Sequence, residues 1–133
     1  MIFIDSNVPM YLVGGPHPNK VLAQVLLDRA IAANRRLVAD AEVLQEILHR
    51  YTAIGRREAI APAVAAVLDV IDEIFPIEKR DVLRAVEIAG HVLSMSARDS
   101  VHLAVMERYG VRSIMSFDAD FDRWPGVERI YSV

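Results

Sequence analysis

The chain has no cysteine, which excludes disulfides and thiolate metal sites and makes a reducing, cytoplasmic compartment the expected setting. Lysine is scarce: only Lys20 and Lys79 accompany the arginines that make up the rest of the 15 basic residues. Against 18 acidic residues the net charge is -3, which excludes a protein that grips nucleic acid by bulk positive charge. A nuclease stays compatible with that balance, because a cluster of metal-holding acids subtracts from the sum while arginines form a local patch. Although 53% of the residues are hydrophobic, no unbroken apolar run approaches the roughly 20 residues that a membrane span needs. The amino end enters a strand directly, with no basic region and long apolar stretch of a signal peptide. No membrane association is expected. Gly14-Gly15-Pro16 lacks the Gly-Lys-Ser/Thr ending of a phosphate loop and reads as a surface loop. His17, His49, His91 and His102 show no zinc-type spacing, and His102, on an apolar helical segment, is expected as a buried, hydrogen-bonded imidazole.

The sequence is organised around Met1-Ile2-Phe3-Ile4-Asp5-Ser6-Asn7. An apolar, β-favouring run that ends on an acid has the pattern of a buried parallel strand opening onto a loop. In open α/β sheets, ligands bind beside the carboxyl ends of strands, so Asp5 stands where chemistry is usually done.

With 133 residues the chain fits one domain, residues 1–133, large enough for a core of its own. Pro9 suits the start of a short helical turn over 7–13, and apolar spacing predicts a helix over 20–34. Leu37-Val38-Ala39 reads as a second strand, with Asp40 as N-cap of a helix over 41–54. A third helix is expected over about 56–73, then a short strand over 74–77, where Pro76 indicates a sheet edge or strand end. Helices follow over 79–91 and from Asp99 to Tyr109, the latter closed by Gly110 in the left-handed conformation. Strands are expected over 111–116 and 128–131. Alternation of this kind implies a three-layer α/β/α sandwich with a central, mainly parallel sheet of four to five short strands, Rossmann-like in layout.

Along this frame lie Asp5, Glu42 and Glu46, Asp99, and Asp118 with Asp120 and Asp122. Magnesium and manganese prefer hard oxygen ligands, and phosphoryl-transfer sites hold them with a few carboxylates plus water and substrate. Without a cation such a cluster repels itself. Glu42, in a first helical turn, reads as a dipole-favouring acid, whereas Glu46 lies within the apolar segment Val43-Leu44-Gln45-Glu46-Ile47-Leu48. Asp99 also suits a helix start and Asp118 a short cap; spacing alone does not rank Asp118, Asp120 and Asp122.

Ile4-Asp5-Ser6-Asn7, the Glu46 segment, Ser96-Ala97-Arg98-Asp99-Ser100-Val101-His102-Leu103-Ala104 and Met115-Ser116-Phe117-Asp118-Ala119-Asp120-Phe121 resemble, in that order, the acidic motifs of PIN domains. They resemble especially those of the VapC-type toxins of toxin-antitoxin pairs, and the resemblance spans nearly the whole chain. It implies a Mg²⁺- or Mn²⁺-dependent endoribonuclease, usually a homodimer, that a cognate antitoxin inhibits by covering the active-site groove. By position, Asp5, Glu46, Asp99 and Asp118 match the metal-site acids, with Asp118 and Asp120 sharing the fourth role. Ser6, Asn7 and Ser116 match small polar supports. Asp122 reads as a surface residue.

Arg50, Arg56 and Arg57, near the end of the Glu46 helix, are candidates for an RNA-backbone patch, with a solvated helix terminus as the plain alternative. Trp124 reads as packing, with base stacking as its functional alternative. Two rivals accompany the nuclease reading: a receiver-like, Mg²⁺-binding phospho-acceptor and a non-catalytic PIN-like binding subunit. Against the first, Asp5 stands alone at its strand end, and both lysines lie in helical segments.

Overall fold

The computed structural model describes residues 1–133. Its strands are β1 (Ile2–Ile4), β2 (Leu37–Asp40), β3 (Glu73–Phe75), β4 (Ser113–Met115) and β5 (Glu128–Ile130). They form one five-stranded sheet in the order β3-β2-β1-β4-β5, and every neighbouring pair is parallel. β1 lies at the centre and is buried from end to end, as its uninterrupted apolar run requires of a strand covered on both faces.

The two-residue periodicity of β1 divides the core. Phe3 points into a cluster with Ile47, Val67, Ile88 and Leu103. Ile2 and Ile4 point the other way, onto Val8 and Leu27. The helices that supply these partners are α1 (Asn7–Val13), α2 (Pro18–Ala32), α3 (Ala41–Ala53), α4 (Ile60–Val70), α5 (Lys79–His91) and α6 (Ala97–Tyr109). The three-layer sandwich is as expected from the alternation of periods, and the sheet has five strands, all parallel.

Several element ends follow local chemistry. Ser96 caps α6 by accepting the Asp99 N–H at 3.1 Å, which puts Asp99 in the first turn. Gly110 ends α6 at φ 68°, the left-handed conformation that favours glycine. α2 begins at Pro18 rather than Lys20, with His17 as its cap. The helix expected over 56–73 is shorter: a 3₁₀ turn, Arg57–Ala59, precedes α4, which stops at Val70. Beyond it Asp72 is drawn onto the sheet, where its N–H donates to the Leu37 carbonyl and its carboxylate accepts the Leu37 N–H, each at 2.8 Å. β3 therefore starts at Glu73, forms the sheet edge and stops just before Pro76. β4 is also shorter than its apolar run, ending at Met115.

Candidate active site

β1 and β4 are neighbours in the sheet, and the connections from them leave toward opposite edges, which opens a crevice at their carboxyl ends. Asp5 sits there. Its Oδ1 accepts the Ser6 N–H at 2.8 Å, and its Oδ2 accepts from Ser116 Oγ at 2.6 Å and Asn7 Nδ2 at 3.3 Å. Burial pushes the Asp5 carboxyl above its usual value, offset only in part by His102 and the Ser116 bond.

Glu46 comes from α3. Its Oε1 lies 2.7 Å from His102 Nε2, and its Oε2 accepts from Ser6 Oγ. Burial opposes its charge, but the hydrogen bond and the charge of His102 prevail and hold it below the usual range. Asp99 comes from α6. Burial first, and then the charges of Asp5, Asp118 and Glu46, push its carboxyl up to about 7.

His102, one turn after Asp99, is buried as expected and bridges two acids, with Nδ1 2.8 Å from Asp40 Oδ2. Burial alone would lower the imidazole, yet Asp40, Glu46 and Asp5 outweigh it and hold its pKa well above the usual value. Asp40 does cap α3, as expected, by accepting the Val43 N–H. Its link to His102 had no signal in the sequence beyond the Asp99-x-x-His102 spacing, which puts both residues on one helix face.

One donor atom each from Asp5, Glu46, Asp99 and His102 lies within 4.8 Å of the other three. Asp5, Glu46 and Asp99 open onto a hollow of about 280 Å³, together with Ser6, Asn7, Arg50, Arg98, Asp118 and Asp120. Asp118 starts a 3₁₀ turn, Ala119–Arg123, and its Oδ1 accepts the Asp120 N–H at 2.9 Å; its own N–H donates to Ser116 Oγ at 3.0 Å.

The remaining candidates lie elsewhere. Asp122 is exposed and paired with Arg129 at 2.9 Å, and Glu42 does not line the hollow. Arg56 pairs with Glu58 at 2.5 Å in solvent, and neither it nor Arg57 borders the acids. Trp124 packs against the core under the Arg84 guanidinium and borders a separate hollow beside the carboxyl end of α6. Arg98, which lines the hollow, was not singled out in the sequence.

The donor set fits a hard divalent cation, because carboxylate oxygens converge where burial, and then their mutual repulsion, push the Asp99 carboxyl up to about 7. The PIN domain profile matches residues 2–127. The chain belongs to the PIN domain family. It is 53% identical over 130 residues to a VapC ribonuclease of Mycobacterium bovis, covering 98% of this chain and 99% of that one. The crystal structure of VapC20 of Mycobacterium tuberculosis, described as a sarcin-ricin loop cleaving toxin, matches with a TM-score of 0.78 and 23% identity, covering 96% of this chain and 98% of that one. VapBC2 from Rickettsia felis, solved on a DNA fragment from its promoter, matches with a TM-score of 0.74 and 13% identity, covering 98% of both chains. The last two likenesses concern the fold. In this PIN domain the acids come from the carboxyl end of β1, from α3, from α6 and from the turn after β4, elements that the parallel sheet brings to one end.

Proposed function

We propose that this PIN domain is a metal-dependent endoribonuclease of the VapC kind, the toxin of a toxin-antitoxin pair. The observation that carries the reading is the convergence of Asp5, Glu46 and Asp99 with Asp118 around one hollow at the carboxyl ends of β1 and β4. Asp5, Glu46, Asp99 and Asp118 would hold Mg²⁺ or Mn²⁺, with Asp120, which lines the same hollow, sharing the fourth role with Asp118. When bound, the cation supplies an acidified water and stabilises charge on the leaving oxygen. Ser6, Asn7 and Ser116 keep the carboxylates turned inward through the hydrogen bonds described above, so little reorganisation accompanies the reaction. Arg50 and Arg98 line the hollow, where phosphates flanking the scissile bond would lie.

The antitoxin partner would cover the mouth of this hollow. A homodimer would form through α5, where Val82, Leu83 and Val86 are exposed together with Leu93 just past the helix end. No helix is long and apolar enough to cross a membrane, and the cytoplasm is the proposed location. The test is cleavage of single-stranded and structured RNA, with DNA as the comparison, by the purified protein in Mn²⁺ and in chelator. Metal-dependent RNA cleavage that Asp99→Asn removes is the expected result. A pure, folded protein that leaves every RNA intact in Mg²⁺ and Mn²⁺ rejects the reading.

A further inference from the structure

One buried carboxylate ties together the two helices that supply the inner acids. Asp40 closes β2 and starts α3, where its Oδ1 accepts the Val43 N–H at 3.0 Å; its Oδ2 accepts from His102 Nδ1 of α6 at 2.8 Å. Asp40 and His102 are both 0% exposed. Burying such groups is costly unless they are paired, and here the pairing continues to the site itself. His102 Nε2 reaches Glu46 Oε1 at 2.7 Å, and Ser6 holds the other Glu46 oxygen. Carboxylates only accept, so the ring donates from both nitrogens and has no lone pair left for the hollow. His102 Nε2 also lies 3.8 Å from Asp5 Oδ1, so the ring backs directly onto the donor cluster, through the nitrogen that already serves Glu46.

The placement along the chain makes the coupling strict. Asp40 sets the start of the helix that carries Glu46, and His102 sits three residues after Asp99 on the same face of α6. A displacement of either helix would break a bond in the chain Asp40–His102–Glu46.

We propose that Asp40 and His102 are positioning residues of this site: Asp40 orients the His102 ring, and the ring aims the Glu46 carboxylate at Asp5 and Asp99. The proposal rests on the reading of the hollow as a divalent-metal site. Partners of metal-holding groups of this kind change metal affinity by about 10- to 100-fold when removed.

The test measures Mn²⁺ affinity by calorimetry and electron paramagnetic resonance on wild type, His102→Gln, Asp40→Asn, Glu46→Gln and the Glu46→Gln/His102→Gln double variant. Folding is checked by the melting midpoint of each metal-free protein. Asn caps a helix as well as Asp does, so Asp40→Asn keeps the start of α3 and carries the test alone if His102→Gln does not fold. Each single change at Asp40 or His102 is expected to weaken Mn²⁺ about 10- to 100-fold, with kcat falling and the KM for RNA unchanged. In the Glu46→Gln background, His102→Gln is expected to add less than about 2-fold, because it acts through Glu46. Unchanged Mn²⁺ affinity in a folded Asp40→Asn or His102→Gln protein, or full additivity with Glu46→Gln, overturns the proposal. So does a directly bound nitrogen in the pulsed spectrum of bound Mn²⁺, which would make His102 a ligand. Absence of Mn²⁺ binding by the wild type overturns the metal-site reading as well, so the two failures are distinguishable.

Discussion

Ser116 Oγ donates to Asp5 Oδ2 at 2.6 Å, a bond between residues 111 positions apart in the chain, where β4 and β1 end side by side. The same oxygen accepts the Asp118 N–H, so one hydroxyl sets both the central acid and the turn that carries its neighbour. Ser116→Ala is expected to retain the fold and to weaken Mn²⁺ binding about 10-fold, since it removes an orienting partner and leaves the acids in place. Asp5→Asn, by contrast, removes a ligand and is expected to abolish metal-dependent RNA cleavage with the melting midpoint retained. Metal titration and cleavage assays on the two variants separate support from ligation, and equal effects from both would refute the distinction.

The Asp99 carboxyl, pushed up to about 7 by burial and by its acidic neighbours, makes a prediction about pH. Its folded pKa lies above its unfolded value, so protonation of Asp99 favours the folded state at low pH, and that contribution is lost as pH rises through about 7. A divalent cation must displace the same proton. Below pH 7, Mn²⁺ affinity is therefore expected to fall by up to about tenfold per pH unit, with proton release visible as a buffer-dependent binding enthalpy. Affinity that does not change between pH 5.5 and 7.5 would contradict the assignment.

Metal linkage gives a third expectation. A cation that binds only the folded chain stabilises it by about 2.7 kcal/mol at a free concentration 100 times its dissociation constant. Melting curves in Mg²⁺ and Mn²⁺ should shift upward with concentration in the wild type and far less in Asp99→Asn. A shift that survives in the variant would place the cation elsewhere on the molecule.

Much of the frame was legible because it depends on local rules. Ile2–Ile4 is a strand that the core covers from both sides, and its uninterrupted apolar run said so. Gly110 closes α6 in the left-handed conformation, as its place after the apolar segment implied, whereas the helix starts at Ala97 under a Ser96 cap rather than at Asp99. The start of β3 was misplaced because tertiary bonds between Asp72 and Leu37, 35 residues apart, decide it. The link from Asp40 to His102 was hidden for a related reason. A capping aspartate has a second oxygen, and only the fold shows where that oxygen goes.

Remote from the acids, Asp81 and Arg108 form the best-shielded ion pair outside the site, with Arg108 Nε 2.7 Å from Asp81 Oδ1 and the Asp81 side chain 2% exposed. Burial opposes the Asp81 charge, but Arg108 and the Glu78 N–H hold its carboxyl below the usual range. Its folded pKa is thus depressed, so the pair stabilises the fold above the unfolded value of 3.8 and ceases to do so as pH falls through the folded one. Asp81→Ala is expected to destabilise the fold at neutral pH, because Arg108 loses its shortest ion pair and the Glu78 N–H loses its side-chain acceptor at the start of α5. Denaturant unfolding at pH 7 and pH 3 checks the sign, and RNA cleavage below the melting transition should be unchanged.

The arginines on the rim give the last expectation. Arg50 and Arg98 line the acidic hollow, whereas Arg56 is paired with Glu58 in solvent and Arg57 lies in the adjacent 3₁₀ turn. For single strands, the logarithm of the binding constant falls against the logarithm of salt concentration with a slope of about -0.7 per neutralised phosphate. Arg50→Ala and Arg98→Ala should each reduce that slope by roughly one such contact, measured on uncleaved RNA with the Asp99→Asn protein. The Arg56→Ala, Arg57→Ala pair should change it less, since neither guanidinium stands where phosphates beside the scissile bond would lie. The reverse ranking would move the RNA path away from Arg98 and along the far end of α3, and it would reassign the basic surface without touching the acids.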